Sequence, residues 1–273
     1  MGCFGSETPV GESSLVPVSV AGLDRAVALV ANYARTCALL SDGTIRCLGW
    51  NNVGQLGNGS RIDSSAPVPV SGISDASAVA AGYNHTCAIR GSGAMQCWGD
   101  NRLGELGNGT RDDSSVPVPV SGITDAVAAA AGISVTCATS SEGTIACWGD
   151  DPWFQQHDRA DTQTSVPVPI AGITSAVAVT VAFNHACALA RDGRVQCWGR
   201  GSMGQLGNGA TADSSIPVTV TGISDAIAIA AGGNHTCAVL QSGAVRCWGL
   251  NDYGQLGDGT KTDRPVPVSV VGI

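Results

Sequence analysis

The stretch NHTCAIRGSGAMQCWGDN, residues 84–101, places His85, Cys87 and Cys97 within thirteen residues, with Trp98 beside the second cysteine. Three chemistries need such a set. Two thiolates and an imidazole are zinc ligands. Two cysteines can form a redox pair, and a cysteine near a histidine can be an activated nucleophile. The same residues can equally be a disulfide staple beside two core side chains.

The rest of the chain decides between them, because the stretch recurs. Cys37, Cys87, Cys137, Cys187 and Cys237 stand 50 residues apart, and so do Cys47, Cys97, Cys147, Cys197 and Cys247. Leu23, Ile73, Ile123, Ile173, Ile223 and Ile273 close the units in the same register. Five full repeats (24–73, 74–123, 124–173, 174–223 and 224–273) therefore follow a shorter segment, 1–23. In the shorter segment, Cys3-Phe4-Gly5 matches Cys97-Trp98-Gly99, and residues 16–23 match the end of a repeat. It reads as half a unit. With no basic n-region or apolar h-region at the start, this points to a piece of a longer chain.

Each repeat reads as four short strands. DASAVAAG (75–82) alternates small residues with valine, the period-2 pattern of a strand. HTCAIR and MQCWG flank the turn GSGA and make a hairpin. A long loop rich in Gly, Asn and Asp follows, suited to irregular backbone with positive φ. PVPVSGI (67–73) is the fourth strand, and its paired prolines suit an outer edge. Four-stranded antiparallel units repeated every 50 residues predict an all-β fold, a β-propeller. A β-solenoid or a string of separate domains is the weaker alternative. Fifty residues alone bury little core, so the units must pack on each other.

Composition agrees. The 273 residues hold 37 Gly and 12 Pro, only 4% aromatics and 13% charged residues, which is turn-rich and β-like. Net charge is −8, and the 14 basic residues are scattered singly. A phosphate-binding surface needs clustered cations, so nucleic acid is not an expected partner. No apolar run reaches the roughly 18 residues of a membrane span.

The pattern G-x-N-H-T-C-A, then G-x-V-x-C-W-G, then N-x-x-G-Q-L-G-[ND]-G-T, resembles the regulator of chromosome condensation repeat family across nearly the whole chain. The resemblance implies a seven-bladed propeller. It says less about function, because one fold hosts many activities. One relative is a nucleotide exchange factor that uses a wedge inserted in a blade. No repeat here carries an insertion. The plant UV-B receptor depends on Trp where Tyr83 stands, and none of the five repeats has Trp there. A secreted relative inhibits β-lactamase through an aromatic-rich loop face, and that bacterial mode fits best.

If the hairpin turn centres on Ser92, Cys87 faces Cys97, Ile89 faces Met95 and His85 faces Gly99. Directly opposed cysteines lie near disulfide reach. Five intrablade disulfides are expected, with Cys3 left over, and they imply an extracellular or envelope location. The His85 column holds Arg35, Val135, His185 and His235, so two repeats lack the ligand that a metal site needs. The resemblance makes that histidine a structural hydrogen-bonding residue. The Trp98, Trp148, Trp198 and Trp248 column, with Leu48 in the first repeat, lies on the face opposite the cysteines and suits packing between blades. The Asn/Asp/Gly loops suit turns rather than Ca²⁺ ligation. No metal or cofactor is expected.

Catalytic motifs such as G-x-S-x-G, the P-loop and H-E-x-x-H are missing from the sequence. The one acid–base cluster is DDPWFQQHDRAD (150–161), with Asp150, Asp151, His157, Asp158 and Asp161. It makes a hydrolase an alternative. The main expectation is a non-enzymatic propeller that binds a protein or peptide, and inhibition of an extracellular enzyme is one form of it. In an up-and-down blade, the loop between strands one and two shares a face with the loop between strands three and four. That face carries the column Tyr33, Tyr83, Ile133, Phe183 and Gly233, and beside it Asn84, Asn184 and Asn234. The third repeat departs twice there, at GISVT and at 150–163, where Trp153 and Phe154 add aromatics. These residues, with His157, form the expected contact patch.

Overall fold

The computed structural model describes residues 2–5, 14–32, 34–150 and 163–273. Side chains are described from residue 19 onward within those spans. The described residues form five four-stranded antiparallel sheets and a two-stranded one. Blade 1 comprises Ala26–Asn32, Arg35–Leu40, Ile45–Gly49 and Ser64–Pro69. Blade 2 comprises Ala76–Ala81, His85–Arg90, Met95–Gly99 and Ser114–Pro119. Blade 3 comprises Ala126–Ala131, Val135–Ser140, Ile145–Asp150 and Gln163–Pro169. Blade 4 comprises Ala176–Val181, His185–Ala190, Val195–Gly199 and Ser214–Thr219. Blade 5 comprises Ala226–Gly232, His235–Leu240, Val245–Gly249 and Arg264–Ser269. The two-stranded sheet pairs Gly2–Gly5 with Ser14–Ser19, Cys3 opposite Val18 and Gly5 opposite Ser14. This is the register of strands three and four in blade 2, where Cys97 faces Val118 and Gly99 faces Ser114.

The first strands of successive blades lie against one another in chain order, and the strands of each blade run outward from them. The central hairpins have the expected register: Cys87 faces Cys97, Ile89 faces Met95 and His85 faces Gly99. The fourth strand differs from expectation. It occupies Ser64–Pro69 and its equivalents, not 67–73. Ser64 pairs with Gly49 and Val68 with Cys47 across an irregularity, so the strand begins before its prolines. Its expected tail instead turns toward the next blade, with Gly72 at φ 70°. Each blade's first strand also carries a bulge that the alternation does not reveal, between Ala76 and Ala78 in blade 2.

All five cysteine pairs are disulfides, with Cα–Cα separations of 4.0–4.1 Å. The core lies in the seams between blades. The disulfide face of blade 1 (Cys37, Leu39, Ile45, Cys47) packs on Ala88 and Trp98 of blade 2. Blade 2 packs on Trp148 of blade 3 in the same way, blade 3 on Trp198, and blade 4 on Trp248. Leu48 closes a smaller cluster with Leu23, Ala38 and Leu40. Small alternating residues let the blades approach, and the buried indoles fill the wedge between them. Among the described residues no helix is long and apolar enough to cross a membrane.

Candidate interaction face

Two loops of each blade are tied into one face. The N–H after the third strand donates to the short first loop: Trp50 to Ala34 O, Asp100 to Asn84 O, Asp150 to Ser134 O, Arg200 to Asn184 O and Leu250 to Asn234 O, all at 2.7–3.0 Å. Gly99 makes this approach possible. A Cβ there would fall 2.4 Å from Asn84 O, and its φ is 106°.

The long loop is a strap built on one buried asparagine. Asn51 Nδ2 donates to Ser60 O and Ile62 O, each at 3.0 Å, and its Oδ1 accepts from Leu56 N–H at 2.9 Å. Its own N–H donates to Asp63 at 2.7 Å. Asn101 and Asn251 repeat this arrangement with Asp113 and Asp263. The strap crosses to the next blade, where Gly59 N–H donates to Ser115 O and Gly109 N–H to Ser165 O. The strap carboxylates Asp63, Asp113 and Asp263 thus accept from main-chain N–H groups. Among the described residues no group of three or more His, Cys, Asp or Glu side chains could hold a metal ion.

Among the described residues, three straps also bolt their seams from within. The main-chain carbonyl of Gln55 accepts from Trp98 Nε1–H and the Thr86 hydroxyl, both at 3.0 Å. Glu105 O accepts from Trp148 Nε1–H at 2.8 Å and the Thr136 hydroxyl at 2.9 Å. Gln205 O accepts from Trp248 Nε1–H at 3.0 Å. Buried polar groups require such partners, and each bolt satisfies several at once.

The histidine column adds a second latch. His85 Nε2 lies 2.8 Å from Thr136 Oγ1, and His185 Nε2 lies 2.7 Å from Thr236 Oγ1, each across a seam. The Thr136 proton goes to Glu105 O, so His85 is the donor in its pair. Both rings are buried, and burial pushes their pKa values down to about 3, keeping them neutral. In blade 1, Arg35 stands in the column instead. Its guanidinium donates to the carbonyls of Gly82 and Tyr83 at 2.9 and 3.0 Å, and to His85 O. Burial lowers its pKa to about 9. Between blades 3 and 4 both latch positions are apolar. Val135 replaces the histidine and Ala186 the threonine, and the two share one core cluster.

The expected contact residues divide into three groups. Ile133 and Phe183 project from the face, 41% and 55% exposed. Phe183 leans toward Gly233 of the next blade, whose added Cβ would lie 4.0 Å from its ring. Tyr83, Asn84, Asn184 and Asn234 are half-buried at the loop bases. Tyr33, Trp153, Phe154 and His157 lie outside the described residues, as do Asp151, Asp158 and Asp161, so no geometry attaches to the acid–base cluster beyond Asp150. Comparing the short loops alone passes over two more exposed aromatics on this face, Trp50 and Tyr253. The seam bolts are missed too. One signal of them is in the sequence: the Thr36, Thr86, Thr136, Ala186 and Thr236 column, shifted one repeat, loses its threonine where the histidine column has Val135.

Two family profiles, both described as the regulator of chromosome condensation (RCC1) repeat, match this chain. One covers residues 42–89, 92–139, 192–239 and 242–273, and the other 26–55, 76–105, 176–205 and 226–255. No curated protein sequence matches significantly. Among solved structures, human WBSCR16 is similar at 23% identity and a TM-score of 0.82, over 95% of this chain and 71% of that one. Yeast RCC1 (Prp20) bound to Kap60 is similar at 21% identity and 0.79, over 90% of this chain and 61% of that one. Prp20p from Saccharomyces cerevisiae, described with its binding properties to Gsp1p and histones, is similar at 21% and 0.78, over 90% and 63%. The chain thus spans less than two thirds of the two yeast chains. These likenesses are of fold.

Proposed function

The chain belongs to the regulator of chromosome condensation (RCC1) repeat family, and from that premise we propose that it is a non-enzymatic propeller that grips a protein or peptide partner through the face carrying Tyr83, Ile133 and Phe183. The observation that carries this reading is the exposure of Ile133 and Phe183 on short loops whose bases accept hydrogen bonds from the Asp150 and Arg200 N–H groups at the ends of the third strands. Large apolar side chains on pre-organised loops lose little entropy on binding and make good anchors. Trp50 and Tyr253 extend the same face. The yeast relatives are described with protein partners, Kap60, Gsp1p and histones, which supports a protein-binding role for this propeller. Five disulfides favour an oxidising compartment, hence an extracellular or envelope location. Inhibition of an extracellular enzyme is the finer form of the reading, since it asks only for an aromatic loop face.

The test is a panning of displayed cyclic peptides against the chain. Selected binders should lose affinity to Phe183→Ala and Ile133→Ala while keeping it for Val116→Ala, a control on an outer strand. Binders indifferent to both face variants would overturn the reading. Titrating secreted β-lactamases with the chain, and with Tyr83→Ala, tests the inhibitory form.

A further inference from the structure

Three repeats place glutamine just before the buried strap leucine: Gln55, Gln205 and Gln255. The second repeat places Glu105 there. In blade 1, Gln55 Oε1 accepts from Val53 N–H at 2.9 Å, and its Nε2 donates to Asn52 Oδ1 at 3.0 Å. Glu105 keeps the first contact, its Oε2 accepting from Leu103 N–H at 2.9 Å. The second contact is lost, because Arg102 replaces Asn52. That arginine turns onto Asp100 instead, at 2.8 and 2.6 Å. A carboxyl only 3% exposed therefore sits where its sisters hold a neutral amide.

Its surroundings do not favour a negative charge. Asp100 is buried beside it, and Asp113 stands next to Asp100. Arg61 of the preceding strap reaches Asp113 at 3.8 Å, and Arg102 is committed to Asp100. His85 of the strands beneath is buried and neutral. Blade 3 brings Thr136 and Trp148, which do not titrate in this range. The main chain of the same residue carries the seam bolt. Glu105 O accepts from Trp148 and Thr136, and through Thr136 it is linked to His85.

We infer that Glu105 makes the seam between blades 2 and 3 responsive to pH. Protonated, it fills the glutamine's place. Ionised, it loosens strap 100–113 and weakens the bond that Trp148 donates to it. Burial raises the carboxyl to about 7, so the change falls in the neutral range. The sign follows from linkage. The folded state holds this proton more tightly than the unfolded chain, so the contribution is whole below the ordinary glutamate range and is lost as pH rises through 7. The strap's Asp100 N–H holds Asn84 O, so the change reaches the base of the loop that carries Tyr83. The inference does not depend on what that face binds.

The indole N–H signals of ¹⁵N-tryptophan-labelled protein test it. The Trp148 signal should titrate with a midpoint near 7. Trp98 and Trp248, bonded to the carbonyls of Gln55 and Gln205, should stay constant through the same range. Glu105→Gln should remove the titration, and it introduces the residue that three sister repeats already use. Asp100→Asn is a second variant. It removes a neighbouring carboxylate and frees Arg102, so the midpoint should fall. A Trp148 signal that ignores pH in the wild type, or titrates unchanged in Glu105→Gln, would overturn the inference. So would an unmoved midpoint in Asp100→Asn.

Discussion

His85 and Thr136 are 51 residues apart in the chain and meet at 2.8 Å across the seam between blades 2 and 3. The same offset joins His185 to Thr236, and it joins Val135 to Ala186, where both polar partners are gone together. Apart from the Arg35 arrangement between blades 1 and 2, the seam latch therefore comes in two self-consistent versions, one polar and one apolar.

Mixing the versions should cost stability. His85→Val alone removes the donor, and Thr136→Ala alone leaves the imidazole N–H buried without an acceptor. Each should cost about 1–3 kcal/mol in urea unfolding. The double variant should cost less than the sum, with a coupling of roughly 0.5–3 kcal/mol. Strict additivity would mean that the two columns are independent.

Acid should weaken the fold through the same histidines. Burial holds His85 and His185 down to about 3. Their folded-state pKa lies below the ordinary imidazole value, so their contribution is whole above about pH 6.5 and is lost as pH falls toward 3. The loss is at most about 1.4 kcal/mol per pH unit for each histidine. His85→Val should flatten the fall of the thermal midpoint over this range. An unchanged slope would refute the assignment.

Reduction should begin in blade 5. The disulfides of blades 1 to 4 are sealed beneath the next blade, whereas Cys237 of blade 5 is half-buried. Mild reductant followed by alkylation and peptide mapping should label Cys237 and Cys247 before Cys87 and Cys97. Equal labelling would show that the seams give the disulfides no protection.

Close packing of a strap on an indole should make one glycine irreplaceable. A Cβ at Gly107, where φ is 65°, would fall 2.6 Å from Trp148 Nε1. Gly122 has a similar φ of 73° with nothing within 4 Å. Gly107→Ala should therefore cost more than Gly122→Ala, which carries only the backbone strain of about 1–2 kcal/mol. Equal unfolding midpoints would mean that the indole yields freely.

Cys87 facing Cys97 was readable because a hairpin is local: the turn alone sets which residues oppose each other. The fourth strand was misplaced because its pairing crosses a strap of more than a dozen residues, and Ser64 rather than a proline begins it. Ile133 and Phe183 were legible because the fifty-residue register puts Tyr33, Tyr83, Ile133, Phe183 and Gly233 in one short-loop column. Trp50 and Tyr253 were not, since they sit in straps where the repeats vary freely.

Period and turn chemistry by themselves determined the blades, their cysteine staples and the face on which the loops gather, because all of these depend on contacts within some fifteen residues. Only the tertiary structure decided what the polar residues of the repeat are for. His85, Thr136, Trp148 and Glu105 come together because one blade lies on the next, and burial in that seam is what turns a histidine into a neutral latch and a glutamate into an acid of near-neutral pKa.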